Sequence, residues 1–369
     1  MHVTVIGNYK INGYDTHQSM HLYANFLTKV LKLNGHKVRL LNPKPILSRF
    51  DFKNDLINKY LRFIDSYFFF GLYLYFTIKK TEITHVCDQA NSILIYFLKS
   101  KKKILTCHDL IYINRLENKR FKKLTFMGKI YRRLILTSIK KFDKIICDSS
   151  NTKKDLIKTI NIKKSNIDVI FVGLNQNFYP MKISNRKKIL SKYNINSNFF
   201  LHVGSNVWYK NKPKLLHIFS EFLKLRKNKD YKIVFAGEKI NRELMNIVSK
   251  LRLNNSFINI VNPNSKTLCA LYSDSNGLIF PSITEGFGWP IIEAQTCGCP
   301  VFSSRIEPMS ELGAKSVFYI NPKNIYESAK IIYSKLRLRK KIIKSGFQNQ
   351  KRFSLSSISR QYKVFYNSL

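Results

Sequence analysis

GLIFPSITEGFGWPIIEAQTCGCPVFSS, residues 277–304, joins an apolar run ending at Pro281 and Ser282, a loop with two glycines, and an apolar stretch entered through Pro290. It reads as strand, loop and helix, with a further strand at PVFSS. In open α/β sheets, ligands bind beyond the carboxyl ends of strands, where loops enter helices. Gly286 and Gly288 let the backbone approach a ligand, and Pro290 fits the first helical position, where a missing N–H costs little. The helix N-terminus then offers unpaired N–H groups and a positive dipole end to a phosphate. Glu285 in the loop and Glu293 one turn into the helix flank that anion site as acceptors for a hydroxyl-rich ligand. A plainer reading stands beside this one, because such turns are common and Glu293 would also complement its helix dipole.

Outward from this stretch the same alternation recurs. FFLHVGS, YKIVFAGE, FINIVN, GLIFPS, PVFSS and VFYI read as strands, with helices over Leu215–Leu225, Glu243–Leu251 and onward from Pro290. The first half begins with HVTVIG, a long polar loop, the periodic MHLYANFLTKVLKL, a stop at Gly35 and HKVRLL, which is a βαβ unit. THVCD, KILTCHD, KIICDSS and DVIFVG continue it as a parallel sheet with crossover helices. Between Gly173 and Asn198 the pattern turns polar, with Pro and Asn, so the boundary falls there. The expected organisation is a domain over 1–180, a linker over 181–198, a second domain over 199–350 and a last helix over 351–369. One large sheet would need more strands than a twisted open sheet usually carries.

The chain of 369 residues is long enough for two such cores, and 44% hydrophobic residues exclude a disordered profile. A net charge of +42 would ordinarily suggest nucleic acid or an anionic membrane. The surplus is similar in both halves, so it marks no single face, and A/T-rich coding would produce it too. The densest basic run, Arg115 to Lys144, interleaves Phe121, Leu124, Phe126, Ile130, Leu134 and Ile135, which reads as a basic amphipathic helix. Such a helix either covers a core with its charged face in water or docks on anionic lipid. Six cysteines without CxxC or zinc spacing read as reduced thiols of a cytosolic protein. The opening MHVTVIG has no signal-peptide layout. The apolar Tyr67–Ile78 is too short to span a bilayer and reads as a buried or interfacial helix.

Glu285, seven residues, then Glu293 within EGFGWPIIEA, followed by GCPV, resembles the donor-site signature of glycosyltransferase family 4. LHVGSNVWYKN, 201–211, resembles the segment opening that family's second domain, with Lys210 matching the lysine that meets the donor diphosphate. Tyr209 stands where many members have arginine, leaving Lys212 or Arg305 to supply that contact. TCHDL places His108 where the family commonly has a histidine facing the reacting sugar, able to stabilise developing positive charge or order the acceptor. His85 in THVCDQANS is a weaker candidate of the same kind. NYKINGYDTHQSM resembles the first-domain loop that approaches the donor phosphate, with Gly13 as the backbone contact. DSSNTKKDLIK, VIFVGLNQNFYP and SKTLCALYSDSNGLIFPS extend the likeness over most of the chain.

The resemblance implies a GT-B architecture: α/β, two Rossmann-like doubly wound domains facing across a cleft, the last helix packing back on the first. It implies sugar transfer from a nucleotide-diphosphate-sugar with retention, with catalytic residues His108 and Glu285. The donor-binding residues are then Gly13, Lys210, Phe287, Gly288, Trp289 and Glu293. No cofactor and no metal is implied, and the sequence shows no DxD-like pair at a strand end. The implied partners are the donor and a glycan or lipid-linked acceptor, with anionic membrane as a further surface and no obligate protein partner. The implied setting is the cytoplasm or the cytoplasmic membrane face, in polysaccharide or lipopolysaccharide biosynthesis. The alternatives are another GT-B enzyme, such as an epimerase or phosphorylase, and a basic nucleic-acid binder. The latter lacks a helix-turn-helix or interleaved aromatic module.

Overall fold

The computed structural model describes residues 1–9, 18–50, 52–111, 113, 125–174, 177–226 and 230–369. Two compact units result, Met1–Asn175 with Leu355–Leu369, and Gln176–Ser354.

In the first unit six strands form one parallel sheet: β1 (His2–Ile6), β2 (Lys37–Leu41), β3 (Ile83–Val86), β4 (Lys102–Cys107), β5 (Lys144–Cys147) and β6 (Ile167–Val169). Their order is β2-β1-β3-β4-β5-β6, so the winding reverses between β1 and β3. The inner strands are buried along most of their length, as helices on both faces of a parallel sheet require. The crossover helix Gln18–Leu33 buries Tyr23, Ala24, Leu27, Val30 and Leu31, a stripe at helical spacing, and the chain turns at Gly35 with φ 81°.

The last helix, Leu355–Asn367, packs in this unit through Ile358, Tyr362, Phe365 and Tyr366, all buried. A chain of buried hydrogen bonds anchors it. Tyr362 OH pairs with Tyr23 OH at 2.7 Å, Tyr23 OH with Thr106 Oγ1 at 2.7 Å, and the His85 ring bridges Thr106 Oγ1 and Tyr366 OH at 2.8 and 2.7 Å. Burial, followed by the nearby His108, pushes the His85 ring down to about 3, so it stays neutral. The candidate His85 therefore has both ring nitrogens committed to holding the helix.

The second unit contains β7 (Asn198–Gly204), β8 (Tyr231–Gly237), β9 (Phe257–Val261), β10 (Gly277–Phe280), β11 (Val301–Ser304) and β12 (Phe318–Ile320). Their order, β12-β11-β10-β7-β8-β9, is all parallel and reverses between β7 and β10. The helix Lys212–Arg226 buries Leu215, Leu216, Phe219 and Phe222 against a sheet rich in phenylalanine. Within the stretch expected as a linker lies the helix Ile183–Leu190, tied to the helix Ser265–Asp274 by an Arg186–Asp274 ion pair of 2.7 Å. Asparagine takes left-handed positions that often fall to glycine, at Asn161, Asn194, Asn211 and Asn262.

Two local readings change. The helix of the 277–304 stretch begins at Trp289 with Gly288 as its cap, so Pro290 is the second helical residue rather than the first. Of the basic run, Arg115 to Leu124 lies outside the described residues. The helix Phe126–Ile139 buries Ile135, Ser138 and Ile139, while Phe126 and Ile130, expected on the apolar stripe, face water. No helix among the described residues is long and apolar enough to cross a membrane.

Candidate functional site

The crevice where winding reverses is the preferred ligand position in such sheets, and in the second unit it opens between the ends of β7 and β10. Gly204 and Gly237 face each other at the ends of β7 and β8, with φ 151° and 145°. A Cβ on Gly237 would lie 2.5 Å from Gly204 O, and one on Gly204 would lie 3.1 Å from Lys210 Cε. Both glycines are thus required by backbone and by space. The chain beyond Gly204 makes a turn at Trp208–Lys210, closed by Asn211 at φ 56°. Ile283 N donates to Tyr209 O at 2.9 Å and Asn211 Nδ2 to Pro281 O at 3.1 Å, so the two crevice loops are fastened together.

This brings Lys210 onto Glu285. Nζ donates to both carboxylate oxygens at 2.8 and 3.0 Å, with the two side chains 12% and 7% exposed. A pair this sheltered is lost only at a cost of several kcal/mol when one partner is removed, because the other is left as a buried charge. Phe280 lies under the ammonium at 4.9 Å. Beyond Glu285, Phe287 is buried and packs edge-on against Phe353, and Gly288 caps the helix Trp289–Thr296 at φ 113°. Trp289 is half-buried on its first turn. Glu293 accepts a hydrogen bond from the buried Tyr272 hydroxyl at 2.8 Å. Burial pushes the Glu293 carboxyl up to about 7, against the lowering effects of the Tyr272 bond and Lys210.

Lys212, expected beside Arg305 as a stand-in for the arginine that Tyr209 replaces, is turned into the loop after β7. Its ammonium donates to Gly204 O at 3.0 Å and Asn206 Oδ1 at 2.8 Å, is 3% exposed, and is pushed by burial down to about 8. It fixes the loop after β7, and Asn206 N in turn donates to Glu238 Oε2 at 2.8 Å. Arg305 is exposed, its guanidinium over the Tyr319 ring at 5.6 Å.

In the first unit His108 follows β4 and is 5% exposed. Nδ1–H donates to Asp148 Oδ2 at 2.5 Å and Nε2–H to Cys87 O at 2.7 Å, while Tyr23 meets the ring edge-on at 4.7 Å. Burial disfavours the charged ring, but the Asp148 carboxylate more than offsets it and raises His108 to about 9. The ring is therefore an imidazolium with both N–H groups spent inside the protein. At the neighbouring reversal, Asn8 Nδ2 donates to Asp88 Oδ2 at 2.6 Å. Gly13 lies outside the described residues. Sequence reading missed Tyr272, Asp148 and the inward turn of Lys212, since nothing local ties them to Glu293, His108 or Asn206.

Two Rossmann-like units, each built on an all-parallel six-strand sheet whose winding reverses once, have the GT-B fold. Family comparison agrees: a model described as "Glycosyl transferases group 1" matches residues 185–349, and one described as "Glycosyltransferase Family 4" matches 22–178. The chain belongs to glycosyltransferase family 4, the group 1 glycosyltransferases. The O-antigen chain mannosyltransferase RfbU of Salmonella typhimurium is 29% identical over 200 residues, 54% of this chain and 52% of that protein. The chain thus spans about half the length of that relative. A sucrose-phosphate synthase from Thermosynechococcus elongatus shares the fold with TM-score 0.74 at 15% identity, over 100% of this chain and 98% of that one. Anabaena HepE, solved with UDP and glucose, gives 0.73 at 16% identity, over 100% and 99%.

Proposed function

We propose that the protein is a retaining hexosyltransferase, moving a sugar from a nucleoside-diphosphate sugar to a glycan or lipid-linked acceptor in cell-surface polysaccharide synthesis. The observation that carries this reading is the Lys210–Glu285 pair at the β7–β10 reversal, facing a glycine-capped helix that bears Glu293. The O-antigen role of the Salmonella relative supports the acceptor class, and the UDP in the Anabaena structure supports the donor class.

In this reading a donor diphosphate draws the Lys210 ammonium away from Glu285 and sits over the helix N-terminus, whose N–H groups and dipole favour it. Glu285, released, accepts hydrogen bonds from sugar hydroxyls. Glu293 accepts from the ribose, and ligand contact favours its ionised form. Phe287, Gly288 and Trp289 line the donor loop. The sugar C1–O bond to the diphosphate breaks and the acceptor oxygen bonds C1 on the same face. The acceptor proton passes to the departing phosphate oxygen, which Lys210 helps neutralise. His108, its nitrogens committed, acts as a positioning residue that fixes the strand ends on the acceptor side.

The test is a thermal-shift screen with UDP-, GDP- and ADP-sugars, followed by transfer assays with the donor that binds. A bound donor raises the melting temperature with the logarithm of its concentration over Kd. No shift and no transfer with any of them refutes the reading.

A further inference from the structure

The helix Asp55–Ile64 is built inside out. Its one buried side chain is Asn58, while Leu56, Ile57, Tyr60, Phe63 and Ile64 are between 37% and 59% exposed. The orientation is fixed by hydrogen bonds on the polar side. Asn58 exchanges two with the Phe52 backbone, at 3.0 and 2.7 Å. Asp65, fully buried, accepts from Ile46 N, Leu47 N and Ser48 N at 3.0, 2.9 and 2.9 Å and from the Ser48 hydroxyl. Turning the apolar face inward would strand these groups, so the apolar side stays in water.

The exposed face continues. After the π-helical turn Asp65–Phe69, which leaves Phe68 exposed, the helix Phe70–Thr77 leaves Leu72, Tyr73, Tyr75 and Phe76 exposed, Phe76 at 80%. Beside the segment Asp55–Phe69 the helix Phe126–Ile139 presents Phe126, Met127 and Ile130, and the two adjoin where Tyr131 OH meets Tyr67 OH at 3.0 Å and the Tyr131 ring lies 5.8 Å from Phe63. Soluble monomers rarely leave so much contiguous apolar surface without a partner.

Charge selects the partner. Between residues 52 and 80, Lys53, Lys59, Arg62, Lys79 and Lys80 accompany the aromatics, and the only carboxylate besides the buried Asp65 is Asp55. The helix Phe126–Ile139 adds Lys129, Arg132 and Arg133 and no acid, and Lys99 sits 3.3 Å over the Tyr75 ring. A second copy would bring two such basic faces together. Tyrosine and phenylalanine among cations suit the headgroup level of an anionic bilayer. We propose that this face, formed by the helices Asp55–Ile64, Phe70–Thr77 and the start of Phe126–Ile139, docks on the interfacial region of an anionic phospholipid membrane. By sequence the 115–144 helix lies either over a core or on lipid, and Tyr67–Ile78 is buried or interfacial; here most of the docking face lies on the helices Asp55–Ile64 and Phe70–Thr77.

This goes beyond sugar transfer and stands without it, because binding is measured with no donor present. The full chain is floated with vesicles of phosphatidylcholine, or of phosphatidylcholine mixed with phosphatidylglycerol, at low and high salt. The wild type should float with the mixed vesicles and lose binding in salt. Combining Leu56→Ser, Phe68→Ser and Phe76→Ser should cut the bound fraction at limiting lipid about tenfold while circular dichroism and melting stay unchanged. As a second readout, Phe76→Trp should be quenched by brominated acyl chains beyond the wild-type background. Equal flotation of the triple variant overturns the proposal. So do a wild type that stays soluble with anionic vesicles, Phe76→Trp unquenched on floated protein, and self-association, without vesicle binding, that the triple variant abolishes.

Discussion

Replacing Asp148 by asparagine tests whether His108 is held as an imidazolium. The His108 ring is raised from 6.5 to about 9 in the folded protein, chiefly by Asp148 acting against burial. A group with a raised folded pKa contributes stability that is fully present below its unfolded value and lost as pH rises through the folded one. The window is therefore from 6.5 to about 9. At 1.36 kcal/mol per unit, the first unit should lose about 3 kcal/mol of stability across it. In Asp148→Asn the acceptor remains but the charge does not, so burial dominates and the fall should flatten or reverse.

Urea unfolding at both ends of the window is the assay, followed by far-UV circular dichroism. Both tryptophans, Trp208 and Trp289, lie in the second unit and give an internal reference by fluorescence. A wild type whose stability does not fall over this window refutes the argument. Parallel slopes for the wild type and Asp148→Asn refute it equally.

Glu285→Ala should abolish sugar transfer, as scored by product formation from the donor found in the thermal screen, with circular dichroism showing a folded protein; near-normal turnover would count against the assigned role. Glu293 is raised from 4.5 to about 7, so its buried carboxyl favours the neutral form and wild-type stability falls as pH rises through that window. Glu293→Gln should therefore gain about 3 kcal/mol on the wild type across that window, read by denaturant titration without donor, and should weaken donor binding. Gly204→Ala places a Cβ at φ 151° and 3.1 Å from Lys210 Cε, and should cost more than about 1 kcal/mol in tryptophan-detected unfolding. Tyr366→Phe leaves His85 Nδ1 without its partner and should lower stability by about 1–3 kcal/mol in thermal unfolding.

Much of the fold could be read in the sequence because its signals are local. Apolar runs of strand length, helical spacing in 18–33 and 212–226, and the turn at Gly35 involve neighbours a few residues apart. The same is true of the loop 285–288 and of Glu293 one turn into its helix, so the glutamates were visible before any contact was known. What needed the tertiary structure is long-range. Lys210 meets Glu285 across 75 positions, His108 meets Asp148 across 40, and Tyr272 meets Glu293 across 21. Those meetings follow from strand order, which no local pattern encodes. Side-chain direction is the other limit. Lys212 stands two residues from Lys210 yet points into the loop it supports, and His85 turns to the last helix. The helix Asp55–Ile64 shows the limit most plainly: no sequence signal singled it out, and only the buried bonds of Asn58 and Asp65 decide that its apolar face meets water.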